Sequence, residues 1–275
     1  MLVHIVADYG HGDLAFSEVI QRIRIHLPDA ELVLTPVPAF STLAAGFCIA
    51  QLGLNEAPPG TLIYHNVAPR ADDAEARPGN AGERLSYARL STGVRVIGVH
   101  AGHTLSFIRD EAEKLRWAAI PADGSQFRSR DLFPQAAAAI ALGVAGALGE
   151  EIDAAAVPDI PKDRIAYIDG YGNLKTTVRC DSDQRYPATA RVNIGGITRE
   201  ALVSDGSFAV PQGQMALAPG SSGWRTKRAG TVRWMEVFLR GGNAWEAFGR
   251  PPIGTEIRVD QSSSVGIPTQ TREAV

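Results

Sequence analysis

Leu2-Val3-His4-Ile5-Val6-Ala7, running into Asp8-Tyr9-Gly10-His11-Gly12-Asp13, is the stretch on which the fold turns. A short apolar run ends in glycines and aspartates, which reads as a strand leading into a tight turn. From Asp13 the period changes. Phe16, Val19, Ile20, Ile23 and Leu27 recur at helical spacing, Asp13 is placed to cap the start, and Pro28 ends the helix. Leu32-Val33-Leu34 is a second strand, Thr42 to Leu52 a second helix opened by Ser41 and closed by Gly53, and Thr61-Leu62-Ile63-Tyr64 a third strand.

Strand, helix, strand, helix, strand predicts a mostly parallel sheet covered by helices, with ligands beyond the carboxyl ends of its strands. That places Asp8 to Asp13 and His65 to Arg70 at a site edge. Residues 66–84 form a long polar loop, followed by β runs Leu85 to Leu90 and Val94 to Val99. A helix from about Leu132 to Gly149 closes the first domain. After a Pro-bearing linker, short β runs alternate with turn clusters and no long helical period remains. The expected organisation is an α/β nucleoside-binding domain over 1–150, a linker over 151–162, a smaller all-β barrel-like domain over 163–260 and a polar tail over 261–275.

The bulk numbers bound the function. A net charge of -3 over 275 residues provides no basic field for nucleic acid or an anionic membrane. The longest apolar stretch, Ala136 to Leu148, is too short to span a bilayer. Cys48 and Cys180 lie far apart and form no ligand spacing, so a reduced, cytoplasmic chain without a metal is expected.

Five segments, in collinear order, carry a resemblance. They are Ala7-Asp8-Tyr9-Gly10-His11-Gly12-Asp13; Phe127-Arg128-Ser129-Arg130-Asp131-Leu132-Phe133; Ile168-Asp169-Gly170-Tyr171-Gly172-Asn173-Leu174-Lys175-Thr176; Ser221-Ser222-Gly223 with Met235-Glu236-Val237; and Gly242-Asn243-Ala244 to Gly249. In these the chain resembles the S-adenosylmethionine hydroxide adenosyltransferases and 5′-halogenases. The resemblance implies S-adenosylmethionine as substrate rather than cofactor. It implies a homotrimer with the nucleoside held between the first domain of one subunit and the second domain of its neighbour. Methionine would be displaced from the ribose C5′, a reaction in which the protein mainly aligns and desolvates a nucleophile. By the same resemblance Asp8 accepts the ribose hydroxyls, and Asp169, Asn173, Ser221 and Ser222 hold the methionine end. The bland reading of Asp8 is a strand-end turn residue, that of Asp169 and Asn173 a β-turn, and that of the serines an ordinary loop.

The chain also departs from the pattern. Where hydrolytic members resemble one another in an Asp and a His, this chain has Ala68 and Arg128, neither of which can act as a base. Arg84 stands where the third member of that triad is expected, and Ser129 matches the serine that contacts halide in the halogenase branch. Catalysis would therefore rest on Arg84 and Ser129, with water or another small nucleophile. The alternatives are a non-catalytic nucleoside-binding relative and an enzyme repurposed for another substrate. His65, His100 and His103 come from strand ends and could converge, but lack metal-ligand spacing. An inward Arg128 would oppose a cationic sulfonium unless an anion binds with it. The insertion Trp224 to Arg233 reads as a solvated loop or, alternatively, a lid.

Overall fold

The computed structural model describes residues 1–69, 75–77, 79, 81–121, 124–180, 186–227 and 230–261. Arg70, Arg228 and the tail beyond Gln261, all singled out in the sequence, lie outside the described residues. The chain divides into two units. Unit 1 comprises Met1–Lys162 and Ser222–Val232; unit 2 comprises Asp163–Ser221 and the chain from Arg233 on.

Unit 1 contains β1 (Leu2–Ala7), α1 (Leu14–His26), β2 (Glu31–Pro36), α2 (Thr42–Gly53), β3 (Leu62–Asn66), β4 (Leu85–Leu90), β5 (Arg95–Val99), β6 (Ala112–Ala118), α3 (Arg128–Asp131), α4 (Phe133–Ala141) and β7 (Leu148–Glu151). Its sheet has seven strands in the order β2-β1-β3-β5-β4-β6-β7. Pairings β1–β2, β1–β3 and β3–β5 are parallel. Pairings β4–β5, β4–β6 and β6–β7 are antiparallel. The expected mostly parallel α/β sheet is therefore corrected to a mixed one. The reason lies in the connections. β4 and β5 are joined only by residues 91–94, too few for the crossover that a parallel pair requires. The alanine-rich run expected to continue as helix to Gly149 ends at Ala141; Gly143 and Gly146 take left-handed backbone, and Leu148 starts β7.

Local chemistry explains the helices. Asp13 Oδ1 accepts the Ala15 N–H at 2.7 Å, capping α1, and Ser41 Oγ accepts the Ala44 N–H at 3.3 Å, capping α2. Phe16, Val19 and Ile23 of α1 and Ala137, Ala138 and Ile140 of α4 pack with Val3, Ile5, Leu62, Tyr64, Ile97 and Val99 in one core. Alternation along the strands sends Ile63 and His65 to the opposite face.

The remaining elements are β8 (Ile165–Ile168), β9 (Leu174–Arg179), β10 (Thr189–Ile194), β11 (Ile197–Val203), β12 (Met215–Thr226), β13 (Gly230–Leu239), α5 (Ala244–Ala247) and β14 (Ile257–Gln261); they belong to unit 2 except for the end of β12 from Ser222 and the start of β13 to Val232, which fall in unit 1. The strand order is β14-β10-β11-β12-β13-β9-β8. Most pairings are antiparallel, but β11 and β12 run parallel. The expected barrel-like all-β domain is thus replaced by a seven-stranded sheet of mixed orientation, with α5 packed into its core through Ala244.

The insertion read as a solvated loop is anchored instead. Trp224 is 3% exposed and packs edge-on against Phe47 and Phe107, with ring centroids 6.0 and 5.8 Å away. Around it, Asn55 Nδ2 donates to the Gly223 carbonyl at 3.0 Å and the Gly223 N–H donates to Gln51 Oε1 at 3.1 Å. The Lys227 N–H adds a bond to the buried Glu111 carboxylate, 3.0 Å from Oε1.

Candidate functional site

The carboxyl ends of β1 and β3, together with α3, enclose a cavity of about 620 Å³ in unit 1. That volume is within the range of small-molecule sites. Asp8, the first residue beyond β1, lines it, as do Phe40, Asn66, Ala68, Arg128 and Ser129. Asp8 Oδ2 accepts the Phe40 N–H at 2.8 Å. Phe40 is held at φ 62, a left-handed conformation costly for a bulky residue, yet it is 55% exposed. Such strain is stored where surrounding structure over-determines it, at a cost of about 1–3 kcal/mol. Here the bond to Asp8 is one of the restraints.

Ser129 is fixed by two tyrosines. Tyr9 OH donates to Ser129 Oγ at 2.7 Å, and Tyr64 OH donates to the Ser129 carbonyl at 2.6 Å. Burial pushes both phenols upward, so both are neutral donors across the physiological range. Tyr9 itself is wedged edge-on between Phe16 (5.1 Å) and Phe127 (6.0 Å).

Arg128, one residue earlier, is 9% exposed. Its Nη2 donates to the Pro121 carbonyl at 3.1 Å, and its guanidinium lies 5.5 Å from the Phe133 ring centroid. Arg130 points elsewhere. It binds Asp131 at 2.7 Å and Glu18 at 2.8 Å, tying α3 to α1.

Of the residues expected from sequence, the structure brings Asp8 and Ser129 to one cavity, with Ala68 and Arg128 beside them. Arg84 is not among the lining residues. Its guanidinium stacks 3.6 Å from the Trp117 ring centroid, on the side of the sheet that carries Ser86. Sequence reasoning missed Tyr9 and Tyr64 as the supports of Ser129. It also missed Phe40, Glu75, Arg77 and Glu83 as cavity residues. Phe40 had a signal: it lies between the carboxyl end of β2 and the Ser41 cap, where a strand-end site would draw on it.

Among the described residues no group of three or more His, Cys, Asp or Glu is placed to hold a metal ion. His65 is fully buried with both ring nitrogens unpartnered, and its ring lies on Gly98, where a Cβ would collide with it. Burial, then the nearby His100, lowers its pKa to about 3. His100 meets the Trp117 ring edge-on at 5.0 Å, and His103 Nδ1 lies 3.1 Å from Ser106 Oγ.

In unit 2, Asp169 Oδ1 accepts the N–H groups of Tyr171 at 2.9 Å and Asn173 at 3.0 Å. Its Oδ2 accepts Asn173 Nδ2 at 3.0 Å. The carboxylate thus organises its own turn, in which Gly172 takes φ 77. Lys175 Nζ sits next to this turn, 3.9 Å from Asp169 Oδ2, 3.5 Å from Ser221 Oγ and 3.0 Å from both oxygens of Glu236. Glu236 is 1% exposed. Lys175 and Glu236 fall in the segments that carry the resemblance, which assigns them no role. Ser221 is exposed and Ser222 buried, as consecutive strand residues facing opposite ways require.

No protein-family model and no curated protein matches the chain. Solved structures do. The fold is similar to that of an uncharacterized conserved protein from Thermotoga maritima, with a TM-score of 0.73 and 17% identity over 94% of this chain and 99% of that one. It is also similar to that of a conserved hypothetical protein from Thermus thermophilus, with a TM-score of 0.66 and 22% identity over 94% of this chain and 98% of that one. At these identities the likeness establishes a shared fold. No helix among the described residues is long and apolar enough to cross a membrane.

Proposed function

We propose that the chain binds S-adenosylmethionine through its nucleoside part in the unit 1 cavity, and that methionine is displaced there from C5′ by a small nucleophile. One observation carries this reading: Asp8 and Ser129, far apart in sequence, line one cavity and are each fixed by a directed hydrogen bond. A carboxylate offers two acceptor oxygens, which suits a vicinal diol. Ser129 supplies a hydroxyl donor to a nucleophile or leaving group.

The reaction balances without a cofactor. The nucleophile forms a bond to C5′ as the C5′–S bond breaks, and the electron pair remains on the methionine sulfur. A halide needs no proton acceptor. Water releases a proton, and neither Ala68 nor Arg128 can take it. The nucleophile is water or another small nucleophile, since a carboxylate of the cavity, Asp8, Glu75 or Glu83, can accept the proton that water releases. A second reading, nucleoside binding without turnover, is favoured by the Arg128 guanidinium in the cavity wall, whose charge opposes a sulfonium.

The methionine end is assigned to Asp169, Asn173, Ser221 and Ser222; the placement of Asp169 and Ser221 beside Lys175, with Asn173 bonded to Asp169, supports that assignment. The proposed assembly is a homotrimer and the proposed compartment the cytoplasm, with which the free thiols Cys48 and Cys180 agree. The test is incubation of purified protein with S-adenosylmethionine in chloride and in halide-free buffer, read by mass spectrometry. Methionine with adenosine or a halo-adenosine supports turnover. Binding without methionine release supports the second reading, and absence of binding refutes both. Light scattering at three times the chain mass supports the trimer.

A further inference from the structure

We infer that unit 1 carries a second binding site, walled in part by the inserted segment at Trp224, and that its ligand is a small zwitterion, a free α-amino acid. None of its residues lines the cavity at Ser129, so it stands apart from the proposed S-adenosylmethionine chemistry.

The site is a cavity of about 420 Å³, a volume that suits a small molecule. Its wall comes from the residues that follow α2, from the turn between β4 and β5, from Glu111, and from Arg225 and Lys227 at the end of β12. Trp224, locked between Phe47 and Phe107, and the bonds at Gly223 fix the chain that carries Arg225. The cavity is thus formed before a ligand arrives, which lowers the entropic cost of binding.

Glu111 sets the chemistry. It is 3% exposed and lines the cavity. Its carboxylate accepts the Lys227 N–H, at 3.0 and 3.1 Å from its two oxygens, and among the described residues it makes no ion pair. A carboxylate removed from water without a cation is destabilising, and a ligand ammonium relieves that penalty. The neighbouring groups also fit an ammonium. Both hydrogens of Asn55 Nδ2 are used, on the Gln51 and Gly223 carbonyls, so Asn55 offers a ligand its Oδ1. Thr92 Oγ1 donates its hydrogen to the Gly53 carbonyl, so it too offers only lone pairs. Carboxylate, amide oxygen and hydroxyl oxygen give three acceptors for the three N–H donors of an ammonium.

Arg225 supplies the opposite sign. It lines the same cavity, is exposed, and among the described residues makes no hydrogen bond or ion pair. A guanidinium takes a carboxylate through two parallel N–H donors. The other two charged residues of the wall are Lys227, whose Nζ lies 4.0 Å from Glu113 Oε1, and the exposed Glu56. With Glu56 and Glu111 against Arg225 and Lys227, the wall carries both signs equally. A ligand of one sign meets like charge as well as opposite charge, whereas a zwitterion satisfies both. Leu54 and Ala57 add an apolar surface for an aliphatic side chain.

The test is calorimetric titration of the full chain with leucine, with isoamylamine, which lacks the carboxylate, and with isocaproate, which lacks the ammonium. It is repeated for Arg225→Ala, Arg225→Lys and Glu111→Gln. Leucine should bind about tenfold or more tighter than either fragment. Arg225→Ala should reduce leucine to the level of isoamylamine, and Glu111→Gln should reduce it to the level of isocaproate. Arg225→Lys keeps the charge and should lose less than Arg225→Ala. No saturable heat with leucine, or either fragment binding as tightly as leucine, overturns the proposal. So does leucine binding that Arg225→Ala leaves unchanged, because the amino acid then sits elsewhere, as at Asp169 and Ser221. Should Glu111→Gln fail to fold, the two Arg225 variants, which alter an exposed side chain, carry the comparison.

Discussion

His65→Leu will make the protein less sensitive to acid. In the folded chain His65 is buried without a hydrogen-bond partner and its pKa falls from 6.5 to about 3. In the unfolded chain the imidazole titrates near its ordinary value. Between the two pKa values the unfolded state therefore binds a proton that the folded state refuses, so stability falls as the pH falls. The loss begins below 6.5, amounts to about 1.4 kcal/mol for each pH unit, and levels off near 3. By pH 4 this one residue removes about 3 kcal/mol, a large share of a typical folding free energy of about 5–15 kcal/mol. The assay is urea unfolding followed by circular dichroism at about pH 7.5 and about pH 4, for wild type and His65→Leu. Each protein is compared with itself, so the packing cost of leucine on Gly98 cancels. Wild type should lose about 3 kcal/mol more than the variant over that interval. Equal losses would refute the reasoning and mean that His65 is solvated or partnered in solution.

Trp224→Ala should destabilise unit 1 by about 3–5 kcal/mol, because it empties the space between Phe47 and Phe107; a thermal shift of less than a few degrees would mean the segment is not anchored. Lys175→Met should cost about 3–5 kcal/mol by removing the cation from the buried Glu236 carboxylate, and Lys175→Met with Glu236→Leu should recover most of it. Urea midpoints of the single and double variants check this, and additive losses would contradict it. Tyr9→Phe should cost about 0.5–1.5 kcal/mol of stability through the lost bond to Ser129, and should weaken ligand binding more than Tyr87→Phe, a substitution away from the cavity.

How far the sequence disclosed this molecule differs by element. β1, α1, β2, α2 and β3 were legible because apolar period, Asp13, Ser41, Pro28 and Gly53 all pointed the same way. The sheet beyond them was not. β6, Ala112–Ala118, alternates weakly and carries Glu113, Lys114 and Arg116, as a sparsely covered strand does. β7 is four residues long and closely follows an alanine-rich helix whose composition masked the glycines that end it. Within the site, Asp8 and Ser129 were legible through their motifs. Arg84 follows Glu83, which lines the cavity, but its own guanidinium stacks on Trp117, a placement that the sequence pattern does not carry. Tyr9 and Tyr64 were missed since their role arises only where α3 meets β1 and β3. His65 was noticed, but its neighbour Gly98 is adjacent only through the β3–β5 pairing.

The most direct test of the central claim is a calorimetric titration of S-adenosylmethionine into wild type and into Asp8→Ala. The account predicts saturable binding to wild type that weakens by about tenfold or more in the variant, because a charged acceptor of the ribose hydroxyls is lost. No heat with wild type, or equal affinity for both proteins, would contradict it.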